Sequence, residues 1–314
     1  MGFRNGNVHI GTTLRWPQNK SGQDAYATFL SGTVSGDPED MEDHYFVATR
    51  ILAYQLLHEP STRTNRSMPF IVLVTDDIPE IKRERLRLDG ATVIPMPYLR
   101  PANDWIHGEI PEWDDVMTKL RAWDLTQYSR ILFLDGDTIL SRRLDELFDD
   151  PACQMRQVET NGSWLLDEGT QPQEYVLASI PETNPVHSFP PTIENGGFKD
   201  PDYFNAGFFL FSPSKAVLDH YKAVMELENR YDPRYPEQNL LNYAHRRNGT
   251  MPWQEMNNSW NIRFPQLEDV IDGDIASVHD KWWHAHMDPR LDDVYQSIRW
   301  SMEGFYEGIS GIAE

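Results

Sequence analysis

The sequence predicts an α/β fold, with a mixed, mostly parallel sheet flanked by helices. Short apolar runs alternate along the chain with segments whose apolar residues recur at helical spacing. The runs are apolar throughout, which is typical of parallel strands that are buried on both faces. No repeat, low-complexity tract or clear linker interrupts this order. We therefore expect a single domain over residues 23–310, after an N-terminal extension that covers residues 1–22.

The first half of the chain alternates strands with helices, as in a parallel sheet with crossover helices. Strands are predicted at 23–31, 70–74 and 91–96. A helix over 45–58, with apolar residues at helical spacing, and a charged helix that ends near Gly90 connect them. A loop rich in Pro and Trp (97–115) then leads to a short helix that contains Lys119.

The second half of the chain contains more loops. Helices are predicted at 141–148, 213–230, 237–247 and 291–307, and strands at 206–212 and 275–279. Residues 162–201 are rich in Pro, Gly, Asn and Thr, which predicts irregular structure.

Two aspartates follow the apolar run Ile131–Leu134, separated by a glycine. Side chains alternate along a strand, so Asp135 and Asp137 can point the same way, and Gly136 adds no bulk between them. Two close carboxylates repel each other unless a cation lies between them, and a divalent metal with a phosphorylated ligand is the natural candidate. Asp-x-Asp also occurs in ordinary strand-ending turns, so the motif needs further ligands to be informative.

The composition limits the class of partner. The 314 residues are 39% hydrophobic and 12% aromatic, which is enough for a large folded core. The net charge of −21 argues against a nucleic acid or an anionic membrane as the main partner. An anionic substrate would need locally placed cations in such a field, which gives weight to individual lysines and metal sites.

The compartment is predicted from cysteine content and apolar stretches. Cys153 is the only cysteine, so no intramolecular disulfide can form. No stretch approaches the roughly 20 apolar residues of a membrane span, and the N-terminus lacks the apolar core of a signal peptide. We expect a cytoplasmic protein, with the Golgi lumen as the alternative if a membrane anchor was removed. Asn-x-Ser/Thr sequons, which favour the alternative, occur at Asn19, Asn65, Asn161, Asn248 and Asn257.

Further polar residues lie where they could complete a site. His279 ends a short predicted strand, and two carboxylates with one imidazole suit Mn²⁺ better than Ca²⁺. Asn205 precedes a buried strand, where its amide can bind sugar hydroxyls. Glu237 and Gln238 lie near a helix start. The structural alternatives are an ordinary strand-end histidine, a turn-capping amide and charge compensation of a helix dipole.

A bound nucleotide would lie beyond the carboxyl ends of the strands. No Gly-rich phosphate loop follows the first strand, however. A diphosphate held without such a loop needs a metal and lysines to neutralise it, and Lys119 and Lys281 would supply the lysines.

Five segments resemble, in order, glycosyltransferase family 8, the glycogenin and galactinol synthase group. They are TKLRAWDLTQYSRILFLDGDT (118–138), FNAGFFLFSPS (204–214), PEQNLLN (236–242), NSWN (258–261) and VHDKW (278–282). The resemblance covers most of the chain from about residue 24 to 285. It implies a GT-A fold, a donor that is usually a UDP-sugar, Mn²⁺ (with Mg²⁺ as the alternative) and retention of anomeric configuration.

The resemblance also implies roles for individual residues. The metal ligands match Asp135, Asp137 and His279, with Gly136 inside the motif. The positions that meet the donor's phosphates or sugar match Lys119 and Lys281, and those that hold the uridine match Phe29, Ser31 and Tyr45. The positions beside the transferred sugar, implied to be catalytic, match Asn205, Glu237 and Gln238. The donor-binding half is then about 23–150 and the acceptor-side half about 151–310.

Two departures from the family pattern matter. In the family, the metal-binding His is usually separated from a Lys-Pro-Trp sequence by several residues. Here only Asp280 separates His279 from Lys281, and Trp follows directly, so Lys281 matches the donor-binding position less closely than the other residues match theirs. The Asp that usually precedes Gln is Glu237, a change shared with galactinol synthases.

We therefore expect a metal-dependent retaining enzyme that moves a hexosyl group from a UDP-sugar to a hydroxyl of a carbohydrate, polyol or glycan. A covalent route through Glu237 stays open beside attack from the leaving-group face. One rival is a sugar nucleotidyltransferase, although residues 30–33 are a poor version of its Gly-rich signature. A non-catalytic carbohydrate-binding protein is the other, and it leaves Asp135 and Asp137 without a purpose. The acceptor is not identified, and a homodimer is left open.

Overall fold

The computed structural model describes residues 22–32, 36–113 and 115–310, so nearly all of the predicted N-terminal extension lies outside the described residues. The strands in chain order are β1 (Ala25–Leu30), β2 (Phe70–Val74), β3 (Thr92–Pro95), β4 (Ile131–Leu134), β5 (Thr138–Leu140), β6 (Arg156–Gln157), β7 (Glu174–Tyr175), β8 (Leu177–Thr183), β9 (Phe198–Phe211), β10 (Gln254–Glu255), β11 (Ile262–Arg263) and β12 (Ser277–His279). The α-helices are α1 (His44–Leu57), α2 (Glu80–Leu88), α3 (Lys215–Met225), α4 (Pro236–Ala244), α5 (Leu267–Ile271) and α6 (Asp292–Ser310).

A seven-stranded sheet forms the centre, in the order β10-β8-β9-β4-β1-β2-β3. β1 lies parallel to β2 and β4, β2 to β3, and β10 to β8, while β9 runs antiparallel to β4 and β8. The predicted mixed, mostly parallel sheet is therefore confirmed. β1 to β4 all end at the same edge, since their chain directions agree.

The sheet is buried on both faces. Ile131 and Phe133 pack with the helices on one side, and Leu132 and Leu134 pack with α1 on the other. This alternation explains why the strand is apolar throughout. A third apolar cluster joins α1 to α6 and to β12, so α1 is covered on both of its sides.

The strand Leu177–Thr183 was not predicted, and the expectation of irregular structure over 162–201 is wrong there. All seven of its residues are buried, and it pairs with β9, which begins at Phe198 rather than near residue 206. The loop 184–197 that joins the two strands holds only part of the Pro and Gly content of the segment, and Pro181 lies within β8 itself. The short apolar run before that loop was too short to be recognised without its partner.

Several helices differ in type or length from the prediction. The helix that carries Lys119 is a 3₁₀ helix (Val116–Asp124), and the one expected at 141–148 is a 3₁₀ helix at Asp145–Asp149. The one expected at 213–230 is α3, which is shorter at both ends: Ser214 caps its start and accepts a hydrogen bond from the Val217 amide, and the helix ends at Met225. Within the described ranges, no helix is both long and apolar enough to cross a bilayer.

Candidate active site

The site begins where β4 ends. The backbone N–H of Asp135 donates to the carbonyl of Gly207 at 2.8 Å, which joins the end of β4 to β9. β5 then pairs antiparallel with β12, with Thr138 opposite His279. This register places the last residue of β12 beside the aspartates that precede β5.

The Asp-Gly-Asp segment is a tight turn. The Thr138 N–H donates to the Asp135 carbonyl at 3.0 Å, and the Asp280 N–H donates to the Asp137 carbonyl at 3.1 Å. A Cβ at Gly136 would lie 3.1 Å from Oγ1 of Thr49, on α1. Glycine at this position therefore lets the turn lie against α1.

The three predicted metal ligands converge. One ligand atom each from Asp135, Asp137 and His279 lies within 4.8 Å of the other two. His279 Nε2 is 3.2 Å from Asp137 Oδ1 and 3.8 Å from Asp135 Oδ2. Two carboxylate oxygens and one imidazole nitrogen are a donor set that divalent metals such as Mn²⁺ accept. The arrangement can hold a divalent metal ion.

The charged groups of this triad shift one another's pKa values. Burial lowers the pKa of His279, but the carboxylates of Asp137 and Asp135 outweigh it and raise the pKa above its ordinary value. Burial raises the pKa of Asp137, but His279 and Lys281 outweigh it and lower that pKa. The two carboxylates thus favour positive charge at the point that His279 Nε2 faces, where a metal ion would lie.

Lys119 connects the triad to α4. Its Nζ lies 2.8 Å from Asp135 Oδ1 and 2.9 Å from Glu237 Oε1. Burial lowers the pKa of Lys119, but the two carboxylates outweigh it and raise the pKa well above its ordinary value. Lys119 is therefore a buried, permanently charged ammonium between the predicted metal site and Glu237.

Asn205 and Gln238 are also brought into the site. Gln238 Oε1 accepts from Asn205 Nδ2 and from the Ala206 N–H, both at 2.9 Å. Asn205 Oδ1 lies 3.1 Å from His279 Nδ1. Gln238 and Asn205, which lie in different segments of the sequence, are therefore linked to His279 of the triad by hydrogen bonds.

Gly207 was not predicted to have a role, although it lies in a segment that resembles the family. A Cβ at this position would lie 2.3 Å from His279 Cε1, 2.6 Å from His279 Nδ1 and 2.8 Å from Asn205 Oδ1. The absence of a side chain lets the imidazole lie directly against β9. Tyr203, Asn205 and Gly207 share one face of that strand, a period-two spacing that would have revealed them had β9 been predicted from residue 198.

The predicted uridine and phosphate residues lie around the same edge. Tyr45, in the first turn of α1, is 45% exposed, and its ring lies 5.1 Å from that of Trp283. Lys281 Nζ is 5.8 Å from the Tyr45 ring centroid and 5.5 Å from that of Trp283. Ser31 follows β1 at the carboxyl edge, whereas Phe29 packs partly against the core on one face of the sheet.

A cleft continues from Asn205 toward β8. It is narrow, with a volume of about 10 Å³, close to the size of one water molecule, and Glu182 and Arg263 form an ion pair at its wall. Neither residue was predicted, because Glu182 lies in the segment expected to be irregular.

Comparison with known proteins agrees with this geometry. The family model "Glycosyl transferase family 8" matches residues 112–280, more than half of the chain. An uncharacterised protein of Schizosaccharomyces pombe is 29% identical over 274 residues, which are 78% of this chain and 70% of that protein. Galactinol synthase 3 of Arabidopsis thaliana is 26% identical over 305 residues, which are 85% and 82% of the two chains.

The fold also has a counterpart among solved structures. The glycosyltransferase GlyE of Streptococcus pneumoniae TIGR4 superposes with a TM-score of 0.50 at 15% identity, over 91% of this chain and 64% of that chain. The family model identifies the class of protein as a glycosyltransferase, which transfers a sugar from a donor to an acceptor, and the solved structure agrees with a GT-A fold. The chain belongs to glycosyltransferase family 8, and the family prediction made from its motifs is confirmed.

Proposed function

We propose that this protein is a metal-dependent retaining glycosyltransferase that uses a UDP-hexose. The observation that carries the proposal is the convergence of Asp135, Asp137 and His279 within 4.8 Å, with Lys119 bonded to Asp135. A sugar donor with a diphosphate needs positive charge beside it in a protein whose net charge is −21, and a metal ion held by the triad, together with Lys119, would supply it. The proposed catalytic domain is 23–310, as expected from the sequence.

The triad fits a bound Mn²⁺ ion, with Mg²⁺ as the alternative. His279 turns Nε2 toward both carboxylates while Nδ1 faces Asn205, so the ring presents one ligand atom to the site. A mixed set of oxygen and nitrogen ligands favours Mn²⁺ over Ca²⁺. When bound, the ion would offset the charge of the diphosphate and of the departing UDP.

Lys119 and Lys281 are proposed to bind the diphosphate and the sugar. Lys119 carries a buried positive charge next to the triad, so it would stabilise negative charge on the leaving group in a site of low dielectric. Lys281 lies beside the ring of Tyr45, which we propose stacks with or borders the uridine. Ser31 and Phe29, at the end of β1, complete the proposed nucleotide site, and Gly136 gives the donor access to the turn.

Glu237, Gln238 and Asn205 are proposed to face the transferred sugar. The Lys119 ammonium lies between the carboxylates of Glu237 and Asp135 and contacts both. The negative charge of Glu237 would stabilise the positive charge that develops at the anomeric carbon. The amides of Gln238 and Asn205 would orient sugar hydroxyls. The acceptor hydroxyl would attack from the face that UDP leaves, with a covalent Glu237 intermediate as the alternative route.

The acceptor is proposed to be a carbohydrate, polyol or glycan. Similarity to galactinol synthases supports this class of acceptor.

The test is metal-dependent release of UDP. UDP-glucose, UDP-galactose and UDP-N-acetylglucosamine are each incubated with the full chain, with and without Mn²⁺, and UDP is quantified. One donor should give Mn²⁺-dependent release, and Asp137→Asn should abolish it while the circular dichroism spectrum stays that of the wild type. Asp219→Asn, at an exposed position of α3, is the matched control and should keep full activity. Equal release by Asp137→Asn and the wild type would refute the metal site.

A further inference from the structure

One hydrogen-bond chain runs from the start of α4 to the imidazole of His279. It consists of Asn239, Tyr203, Gln238, Asn205 and His279, in that order. Tyr203 Oη lies 2.5 Å from Asn239 Oδ1, and Gln238 Nε2 lies 2.7 Å from Tyr203 Oη. Gln238 Oε1 then meets Asn205 Nδ2 at 2.9 Å, and Asn205 Oδ1 meets His279 Nδ1 at 3.1 Å.

The backbone determines the direction of every bond in this chain. The Gly207 N–H donates to Asn205 and the Ala206 N–H donates to Gln238, both at 2.9 Å, so the atoms they reach must be the amide oxygens. At the far end, Asn239 donates from Nδ2 to the carbonyl of Asp232 at 2.8 Å. Its remaining atom, Oδ1, must therefore accept from Tyr203.

It follows that the Tyr203 hydroxyl donates to Asn239 and accepts from Gln238, because Asn239 Oδ1 can only accept and Gln238 Nε2 can only donate. It also follows that His279 must donate from Nδ1, since Asn205 presents an oxygen to it. The proton on Nδ1 leaves the lone pair of Nε2 for the side of the ring that faces the aspartates.

We propose that Tyr203 is a positioning residue, whose hydroxyl holds Gln238 and Asn205 in the orientation that directs His279 Nε2 into the metal site. The inference rests on the proposed metal site. Gln238 is 9% exposed, so water has little access to replace a lost partner. Without the hydroxyl, the Gln238 NH₂ group loses its acceptor, and the amide is held only through its oxygen, by Asn205 and the Ala206 N–H, so its hold on Asn205 loosens.

The experiment measures Mn²⁺ binding without any donor, by the electron paramagnetic resonance signal of free Mn²⁺. Replacement of the residue that touches the imidazole, Asn205→Leu, should weaken binding by about 10- to 100-fold, the usual cost of losing a partner of a metal-bound histidine. Tyr203→Phe, two bonds further out, should weaken it by a smaller factor, about 3- to 10-fold. Tyr175→Phe is the matched control, because its hydroxyl donates to the Pro252 carbonyl at 2.8 Å, outside the chain.

A double variant separates positioning from general destabilisation. If Tyr203 acts through Asn205, then Tyr203→Phe has no further effect on Mn²⁺ affinity in the Asn205→Leu background. Independent losses that multiply, or a wild-type Mn²⁺ affinity for Tyr203→Phe, would overturn the inference. Asp137→Asn tests the proposed function separately: if it also binds Mn²⁺ normally, the metal site itself is wrong, whereas loss in Asp137→Asn alone refutes only the role of Tyr203.

Discussion

Replacing Gly207 with alanine tests how closely the site is packed around His279. The added methyl group would lie 2.3 Å from Cε1 and 2.6 Å from Nδ1 of the imidazole. Non-bonded carbon atoms are comfortable at about 3.5 Å, so the ring has to retreat by about 1 Å. The conformation of Gly207 is extended, as part of β9, and suits any residue. The clash with His279 and Asn205 is therefore the main consequence.

A shift of this size should lower metal affinity and turnover strongly, and the unfolding free energy only moderately. Misplacement by about 1 Å costs on the order of 100-fold in rate, and displacing a metal-bound histidine costs about 10- to 100-fold in metal affinity. Overpacking at one position costs about 1–3 kcal/mol of unfolding free energy. We expect Gly207→Ala to remain folded, to bind Mn²⁺ at least 10-fold less tightly and to release UDP about 100-fold more slowly.

The assay combines a Mn²⁺ titration, UDP release and urea unfolding on the same preparations. Gly304→Ala is the matched control, because nothing lies within 4 Å of its added methyl group on α6. That variant should keep its activity and gain up to about 1 kcal/mol from better helix propensity. Gly207→Ala with wild-type Mn²⁺ affinity and turnover would show that the imidazole is not held where the geometry places it.

Two further predictions concern buried charge. Lys119→Met leaves the Asp135 and Glu237 carboxylates without their shared partner, so urea unfolding should show that the unfolding free energy falls by about 3–5 kcal/mol. The control, Lys222→Met on the surface of α3, should lower it by less than about 0.5 kcal/mol. An equally small loss in Lys119→Met would contradict the proposed ion pairs of Lys119. Burial lowers the pKa of His245 to about 3, against about 6.5 for an exposed histidine. Between pH 6.5 and about 3, His245 is protonated in the unfolded chain but stays neutral in the folded chain. The unfolding free energy therefore falls by about 1.4 kcal/mol per pH unit as the pH drops through this range. Urea unfolding of wild type and His245→Gln at pH 7, 6, 5 and 4 measures this, and equal slopes would contradict it.

The sequence predicted the parts of the site that lie on recognisable elements. Asp135 and Asp137 were found because a fully apolar strand ends beside them, and such strands can be recognised without knowledge of their neighbours. Lys119, Asn205, Glu237 and His279 were found through ordered motifs, and the structure brings their side chains together.

The residues that were missed depend on pairing between distant segments. Gly207 matters because β12 crosses close to β9, a contact that no local pattern encodes. Tyr203 was missed because β9 begins eight residues earlier than predicted, so the shared face of Tyr203 and Asn205 was not visible. Glu182 lies in β8, a strand whose composition resembles that of a loop until its partner is known.

The central claim is that Asp135, Asp137 and His279 hold one divalent metal ion. Its most direct test is a Mn²⁺ titration of the full chain, with free Mn²⁺ followed by electron paramagnetic resonance. The structure predicts one saturable site per chain, lost in both Asp137→Asn and His279→Gln and kept in Asp219→Asn. No saturable binding by the wild type, or unchanged binding by the two site variants, would contradict the claim.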